Sequence, residues 1–393
     1  MFSYSNGALM SVYIYDAVRT PRGKARADGG LASLKPQELV SGLIDAIGER
    51  RGEKSEPDAL IVGAVGQVGA QGGNIALISK LDAGLPDRTS AFAINNYCVS
   101  GLTAIGQAAA MVQAGQAQSV LAGGVEMMSR VPFMADNADY YADASYDRRT
   151  RYIPVALAAD RLAEDIGVTR AEMDEAALRS QQRTAAAENT ALVASRIPLN
   201  GLDLEECARP ATTLDALAAM PAAFGVFADQ YRDALGGRVI DHRHTVGHAP
   251  PMSDGAGLAL IGGEDAGVEP RARIVAWVEA GGDPAESLTA GFGAMERVLA
   301  KAKLTLNDLD RIEFMEAFAV TIVKFIRDYK PDPAKVNVGG GHIAKGHPMG
   351  ATGAILISSL LDALDASGGK YGMVVAAGAS GVGSAMIVER LGH

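Results

Sequence analysis

The chain has 393 residues, 48% of them hydrophobic, with 46 glycines and a formal net charge of −10. That length suits about two or three domains or one large duplicated fold, and the apolar content suits a well-buried α/β protein. The acidic balance, without a Lys/Arg cluster, excludes sequence-independent nucleic-acid binding and offers no patch for an anionic membrane.

Taken in order, "SVYIYDAVRTP" (11–21) reads as a strand running into a turn. In "SLKPQELVSGLIDAIGERRG" (33–52), Leu39, Leu43, Ile44 and Ile47 recur at helical spacing, with Ser33 as the expected N-cap and Gly52 as the stop. "DALIVGAVGQ" is a buried strand. "TSAFAINNYC" is another, expected to end at Cys98, and "GLTAIGQAAAMVQAG" is a small-residue helix. "QSVLAGGVEMMS" is a further buried strand. Strands alternating with helices imply parallel pairing covered on both faces.

Residues 131–250 break this pattern with the polar "DNADYYADASYDRRTRYIP" and the helix "RAEMDEAALRSQQRTAAA". They read as an insertion. The pattern then returns in "RIEFMEAFA", "KVNVGGGHIAKGHPMGATGAILISSLLDAL" and "GMVVAAGASGVGSAMIVER". In the first half Ser100-Gly101 opens a helix and Ala122-Gly123 ends the next strand. In the second half Thr352-Gly353 and Ala377-Gly378 repeat that arrangement. This weak duplication implies two similar halves with active-site loops from both. The expected division is an N-terminal extension (1–9, before Met10), a first half (10–130), the insertion (131–250), the end of the first half (251–270) and a second half (271–393).

The two cysteines, Cys98 and Cys207, match neither a disulfide framework nor a zinc spacing. His242 and His244 could pair on a metal, but no further ligand completes them, so no metal site is expected. The start of the chain lacks a secretory pattern and no apolar stretch of about 20 residues is evident. A cytoplasmic protein is expected.

Four stretches could carry chemistry. Cys98 precedes a helix start, where the dipole favours thiolate; the alternative is a buried small hydrophobe. His347, between Gly346 and Pro348, is a candidate base or oxyanion donor, and His342 is a second. Glu316 is either catalytic or a partner for backbone N–H groups. The Gly-rich turn at Ala379 and Gly381 can bring amides close to a substrate oxygen.

Together and in this order, "DAVRTPRGK", "NNYCVSGLTAI", "GGVEMMS", "MEAFA", "GGGHIAKGHPMGATGA" and "GASGVGSAMIVER" resemble the thiolase family over nearly the whole chain. The resemblance implies a duplicated, five-layered α/β fold with an inserted loop domain, assembled as a homodimer or homotetramer. It implies CoA-dependent cleavage of a 3-ketoacyl-CoA, or the reverse condensation, with CoA as a substrate and no cofactor. Carried over, Cys98 is the acylated nucleophile, His347 activates it, and amides of Cys98 and the Ala379 turn hold the oxyanion.

Four departures stand out. The family's second cysteine, the acid/base for the α-carbon, aligns with Ala377. Its water-holding Asn aligns with Met315, beside Phe318. Its CoA-contacting Asn aligns with His248 in "GHAPP". His342 stands where a small residue is usual. The expectations are that His342, or else His248, takes the missing proton role; that the enzyme transfers acyl groups without deprotonating acetyl-CoA; or that the chain is a non-catalytic acyl-CoA binder. The polar, Tyr-bearing segment after Arg130 is expected to line the acyl pocket.

Overall fold

The computed structural model describes residues 10–52, 56–147, 149–264 and 269–392. The expected N-terminal extension lies outside them. Ten strands are described: β1 (Tyr13–Arg19), β2 (Gly23–Lys24), β3 (Ala59–Gly63), β4 (Ser90–Ile94), β5 (Ser119–Met127), β6 (Ser253–Gly262), β7 (Ala272–Gly281), β8 (Arg311–Phe314), β9 (Tyr371–Gly378) and β10 (Val382–Arg390). The helices are α1 (Pro36–Arg51), α2 (Ile75–Asp82), α3 (Ser100–Gln113), α4 (Val155–Asp165), α5 (Arg170–Ala187), α6 (Leu214–Ala218), α7 (Ala290–Ala302), α8 (Ala319–Tyr329), α9 (His342–Lys345) and α10 (Thr352–Ser367).

The strands run in the order β4-β3-β5-β6-β1-β7-β10-β9-β8, with β2 on β6. The duplication is visible in that order. The path β4-β3-β5-β6-β1 is matched by a bridge at Val336, then β8-β9-β10-β7, and the two copies meet where β1 pairs antiparallel with β7. Among the named strands, parallel pairing joins β3 to β4 and β5 and β8 to β9, so the sheet is mixed rather than wholly parallel. Helices α3 and α10 pack on each other and on strands of both halves, while α1 and α2 cover one outer side and α7 the other. This layering gives helix, sheet, helix, sheet, helix.

Close approach of α3 and α10 depends on glycine. A Cβ on Gly353 would lie 2.4 Å from the Leu102 amide. The span Met349–Ser367 is long and apolar enough to cross a membrane, contrary to the expectation of no such stretch; 89% of its window is buried between the halves, as a core helix.

Two boundary expectations are corrected. Helix α1 is capped at Lys35 rather than Ser33. Pro36 suits the first helical position, and the Lys35 amide donates to Glu38 Oε2 at 2.6 Å. Strand β4 ends at Ile94, so a turn separates it from α3. Between β5 and β6 the chain forms α4, α5 and α6 and returns to the sheet.

Candidate active site

Residues Asn95 to Val99 form the turn that presents Cys98, and side chains hold it in place. Tyr97 has φ +47°, a left-handed conformation that costs about 1–3 kcal/mol in a non-glycine residue. Asn95 Oδ1 accepts the Tyr97 amide at 3.0 Å, and Ser100 Oγ accepts the Asn96 amide at 2.8 Å. Asn96 Nδ2 donates to Thr103 Oγ1, which donates to Glu279 Oε1 at 2.8 Å. These bonds offset the strain and leave the Cys98 side chain partly exposed in a pocket.

The turn after β9 approaches from the other half. A Cβ on Gly378 would lie 2.7 Å from Val382 Cγ2 and 3.2 Å from the Cys98 nitrogen, so glycine is required for the contact. Ser380, at φ +60°, donates its amide to Ser287 Oγ. The Ala379 amide and the Cys98 amide both point at the Cys98 sulfur. Gly381 does not line the pocket; its carbonyl accepts the Gly282 amide at 2.7 Å and shapes the turn.

Burial pushes the Cys98 thiol up to about 12, with Glu126 raising it further and the two amides lowering it. Helix α3 begins two residues later, and desolvation is the largest influence on the thiol. The resting side chain is a thiol and needs a base.

His347 lines the same pocket. Its Nδ1 lies 2.6 Å from Thr352 Oγ1, and its Nε2 has no hydrogen-bond partner among the described residues. Burial, then Arg22, lowers its pKa to about 3, so the ring is neutral. The loop carrying it is tied down by Glu316. That carboxylate accepts Ser180 Oγ at 2.7 Å, Asn337 Nδ2 at 3.1 Å and the Ile343 amide at 3.2 Å. Glu316 does not line the Cys98 pocket; it binds N–H and O–H groups.

The pocket is a cavity of about 170 Å³. Met315, Phe318, Ala377 and Ala379 line it with Met128, Phe133, Val155, Leu288 and Met349, and Ala249 to Met252 complete its wall. Of the polar segment after Arg130, Phe133 reaches the pocket. Its tyrosines, Tyr140, Tyr141, Tyr146 and Tyr152, pack instead on one another and, through Tyr152, on Tyr231.

His342 and His248 do not line the pocket. The His342 ring stands edge-on to His347, with centroids 5.7 Å apart, and is almost fully buried. Burial lowers its pKa well below the usual histidine value. His248 is held by Asp174: its Nε2 lies 2.6 Å from Oδ1, and its Nδ1 accepts the Thr245 amide. Burial brings it to about 4. Both rings are neutral, and His248 is a structural link. His242 and His244 share Asp160, at 2.8 and 2.7 Å, and no metal-binding group of three His, Cys, Asp or Glu occurs among the described residues. Cys207 is buried far along the chain from Cys98, and neither is in a disulfide.

Residue types alone did not reveal Thr352 as the partner of His347, nor the buried charges behind it. Arg22, paired with Glu205, and Lys345 are almost fully buried. The clue in the sequence is a cation inside otherwise small or apolar motifs, "RTPRGK" and "HIAKGHP".

The thiolase N-terminal domain model matches residues 12–265 and the thiolase C-terminal domain model residues 268–390. A beta-ketoadipyl-CoA thiolase of Acinetobacter baylyi is 35% identical, over 96% of this chain and 99% of its own. An acetyl-CoA acetyltransferase of Escherichia coli is 34% identical, over 96% and 98%. The human mitochondrial 3-ketoacyl-CoA thiolase, solved in complex with CoA, superposes with a TM-score of 0.84 at 31% identity, covering 98% of this chain and 99% of that one. Two family models that together span nearly the whole chain, and relatives aligned end to end, place it in the thiolase family of acyl-CoA acyltransferases.

Proposed function

We propose that this chain cleaves a 3-ketoacyl-CoA with CoA, or runs the reverse condensation, through an acyl group on Cys98, with His347 carrying every proton. The observation behind this reading is the pairing in one apolar pocket of a neutral thiol with a neutral imidazole whose Nε2 is unpartnered. Among the described residues lining the pocket, the groups that titrate are Cys98, His347 and Tyr97.

In the cleavage direction, Nε2 takes the Cys98 proton as the sulfur attacks the 3-keto carbon. The amides of Cys98 and Ala379 are placed to donate to the thioester oxygen when acyl-Cys98 is attacked. The carbon–carbon bond breaks, its electron pair leaves with the acetyl-CoA enolate, and the proton on Nε2 passes to that carbon. CoA then attacks acyl-Cys98, gives its own proton to Nε2, and the released Cys98 thiolate recovers it. One base thereby serves both steps, which accommodates Ala377 and Met315 without a role for His342 at the substrate.

A cytoplasmic setting and a homodimer or homotetramer belong to this reading. The free cysteines suit a reducing compartment, and the family resemblance supplies the oligomer. Incubation with a 3-ketoacyl-CoA followed by intact-protein mass measurement tests the acyl intermediate. A non-catalytic binder would show no adduct and no turnover.

A further inference from the structure

The walls of the Cys98 pocket say what kind of acyl group they accept. Among the described residues, no lysine or arginine lines it. With Cys98 and Ala377, the pocket is lined by Met315, Phe318, Leu288, Phe133, Met128 and Met349. Their thioethers and rings offer packing and no charge-assisted hydrogen bond.

The charges behind the walls do not supply a counter-ion either. Glu126, the ionisable group that raises the Cys98 pKa, is a carboxyl. It is fully buried and already accepts the Val65, Gly66 and Gly350 amides and Gln71 Nε2. Arg22, behind His347, is held 3.5 Å from Glu205 and does not line the pocket. Lys345 is buried among the same group of charges, beside Arg22, Glu205 and Glu313.

Resting on the acyl-Cys98 reading, we infer that the pocket takes an uncharged, apolar acyl group and rejects one that ends in a carboxylate. A terminal carboxylate seated there would be desolvated without a cation to pair with it. The inference separates this chain from what the name of its Acinetobacter baylyi relative implies, since a beta-ketoadipyl group ends in a carboxylate. It also gives Met315 and Ala377 a joint role. Both positions are apolar where the family resemblance leads one to expect a polar side chain, and together they extend the apolar wall to the reacting carbon.

The test compares two thioesters of equal chain length, beta-ketoadipyl-CoA and 3-oxohexanoyl-CoA, which differ only in a terminal carboxylate against a methyl group. With the full-length protein, kcat/KM should favour 3-oxohexanoyl-CoA by about 100-fold or more. A ratio below about ten, or a preference for the adipyl substrate, overturns the inference while leaving acyl-Cys98 standing. Binding of the same two thioesters to Cys98→Ala, measured by calorimetry, ranks the acyl groups without chemistry. Tighter 3-oxohexanoyl-CoA binding supports the inference even if the wild type turns over neither, an outcome that would instead defeat the acyl-Cys98 reading. Equal or tighter adipyl binding overturns it.

Discussion

His347 Nδ1 lies 2.6 Å from Thr352 Oγ1, and that hydroxyl lies 3.3 Å from the Pro348 carbonyl. The carbonyl can only accept, so the hydroxyl donates to it and receives the proton on Nδ1. The arrangement favours the Nδ1–H tautomer and leaves the Nε2 lone pair for Cys98. Thr352→Val keeps the shape and removes the acceptor. Its rate of Cys98 acylation should fall by about tenfold, the value of roughly one to two kcal/mol for such a bond, with the melting temperature changed little. An unchanged rate would detach Thr352 from the mechanism.

Glu316 accepts three hydrogen bonds and holds the loop that carries His347 to the α9 segment and to α5. A Cβ on Gly341 would lie 2.0 Å from its carboxyl carbon, so the loop is fitted closely around it. Glu316→Ala leaves those buried donors unpaired and should cost about 2–4 kcal/mol in denaturant unfolding. Glu316→Gln keeps one acceptor oxygen and should lose less. Equal losses in both would contradict this account of the loop.

Ala377 lines the pocket where the family resemblance places a second cysteine. Ala377→Cys adds a titrating group there. Exchange of the acetyl-CoA methyl hydrogens with deuterated solvent, followed by mass measurement, should rise by at least about tenfold. If exchange stays at the wild-type level, position 377 does not face the α-carbon.

His347 is buried neutral, with its pKa lowered to about 3 from an ordinary 6.5. Below pH 6.5 the unfolded chain takes up a proton that the folded chain refuses. The folded state is therefore penalised as pH falls from 6.5 towards 3, and the penalty is absent above 6.5. Several buried carboxyls oppose this in the whole protein, so the difference between wild type and His347→Asn isolates it. Wild type should lose stability relative to the variant by about 1.4 kcal/mol per pH unit across pH 6 to 4. A difference that does not change with pH would show a solvated ring.

Local motifs carried much of this site. Cys98 and His347 sit in short runs whose small residues and turns are visible in the chain itself, and the strand–helix–strand repeat follows from matching Ser100-Gly101 and Ala122-Gly123 with Thr352-Gly353 and Ala377-Gly378. What pattern could not show was set by distant partners. β4 stops at Ile94 because Asn95, Asn96 and Ser100 close a side-chain-bonded turn before the helix. His248 looks like a base by residue type, but Asp174, 74 positions earlier, claims it. Burial, invisible in a short window, is the largest influence on the Cys98 thiol and favours its protonated form. The tyrosines of the polar insertion turned to each other, leaving Phe133 to meet the pocket.

In the proposed reaction Cys98 becomes acylated with the help of His347. Intact-protein mass measurement after mixing with 3-oxohexanoyl-CoA, without free CoA, reads it directly. The account predicts one butyryl adduct, located on Cys98 by peptide mapping, absent in Cys98→Ala, and formed about 100-fold or more slowly in His347→Asn. An adduct on another residue, or turnover that persists in Cys98→Ala, would contradict it.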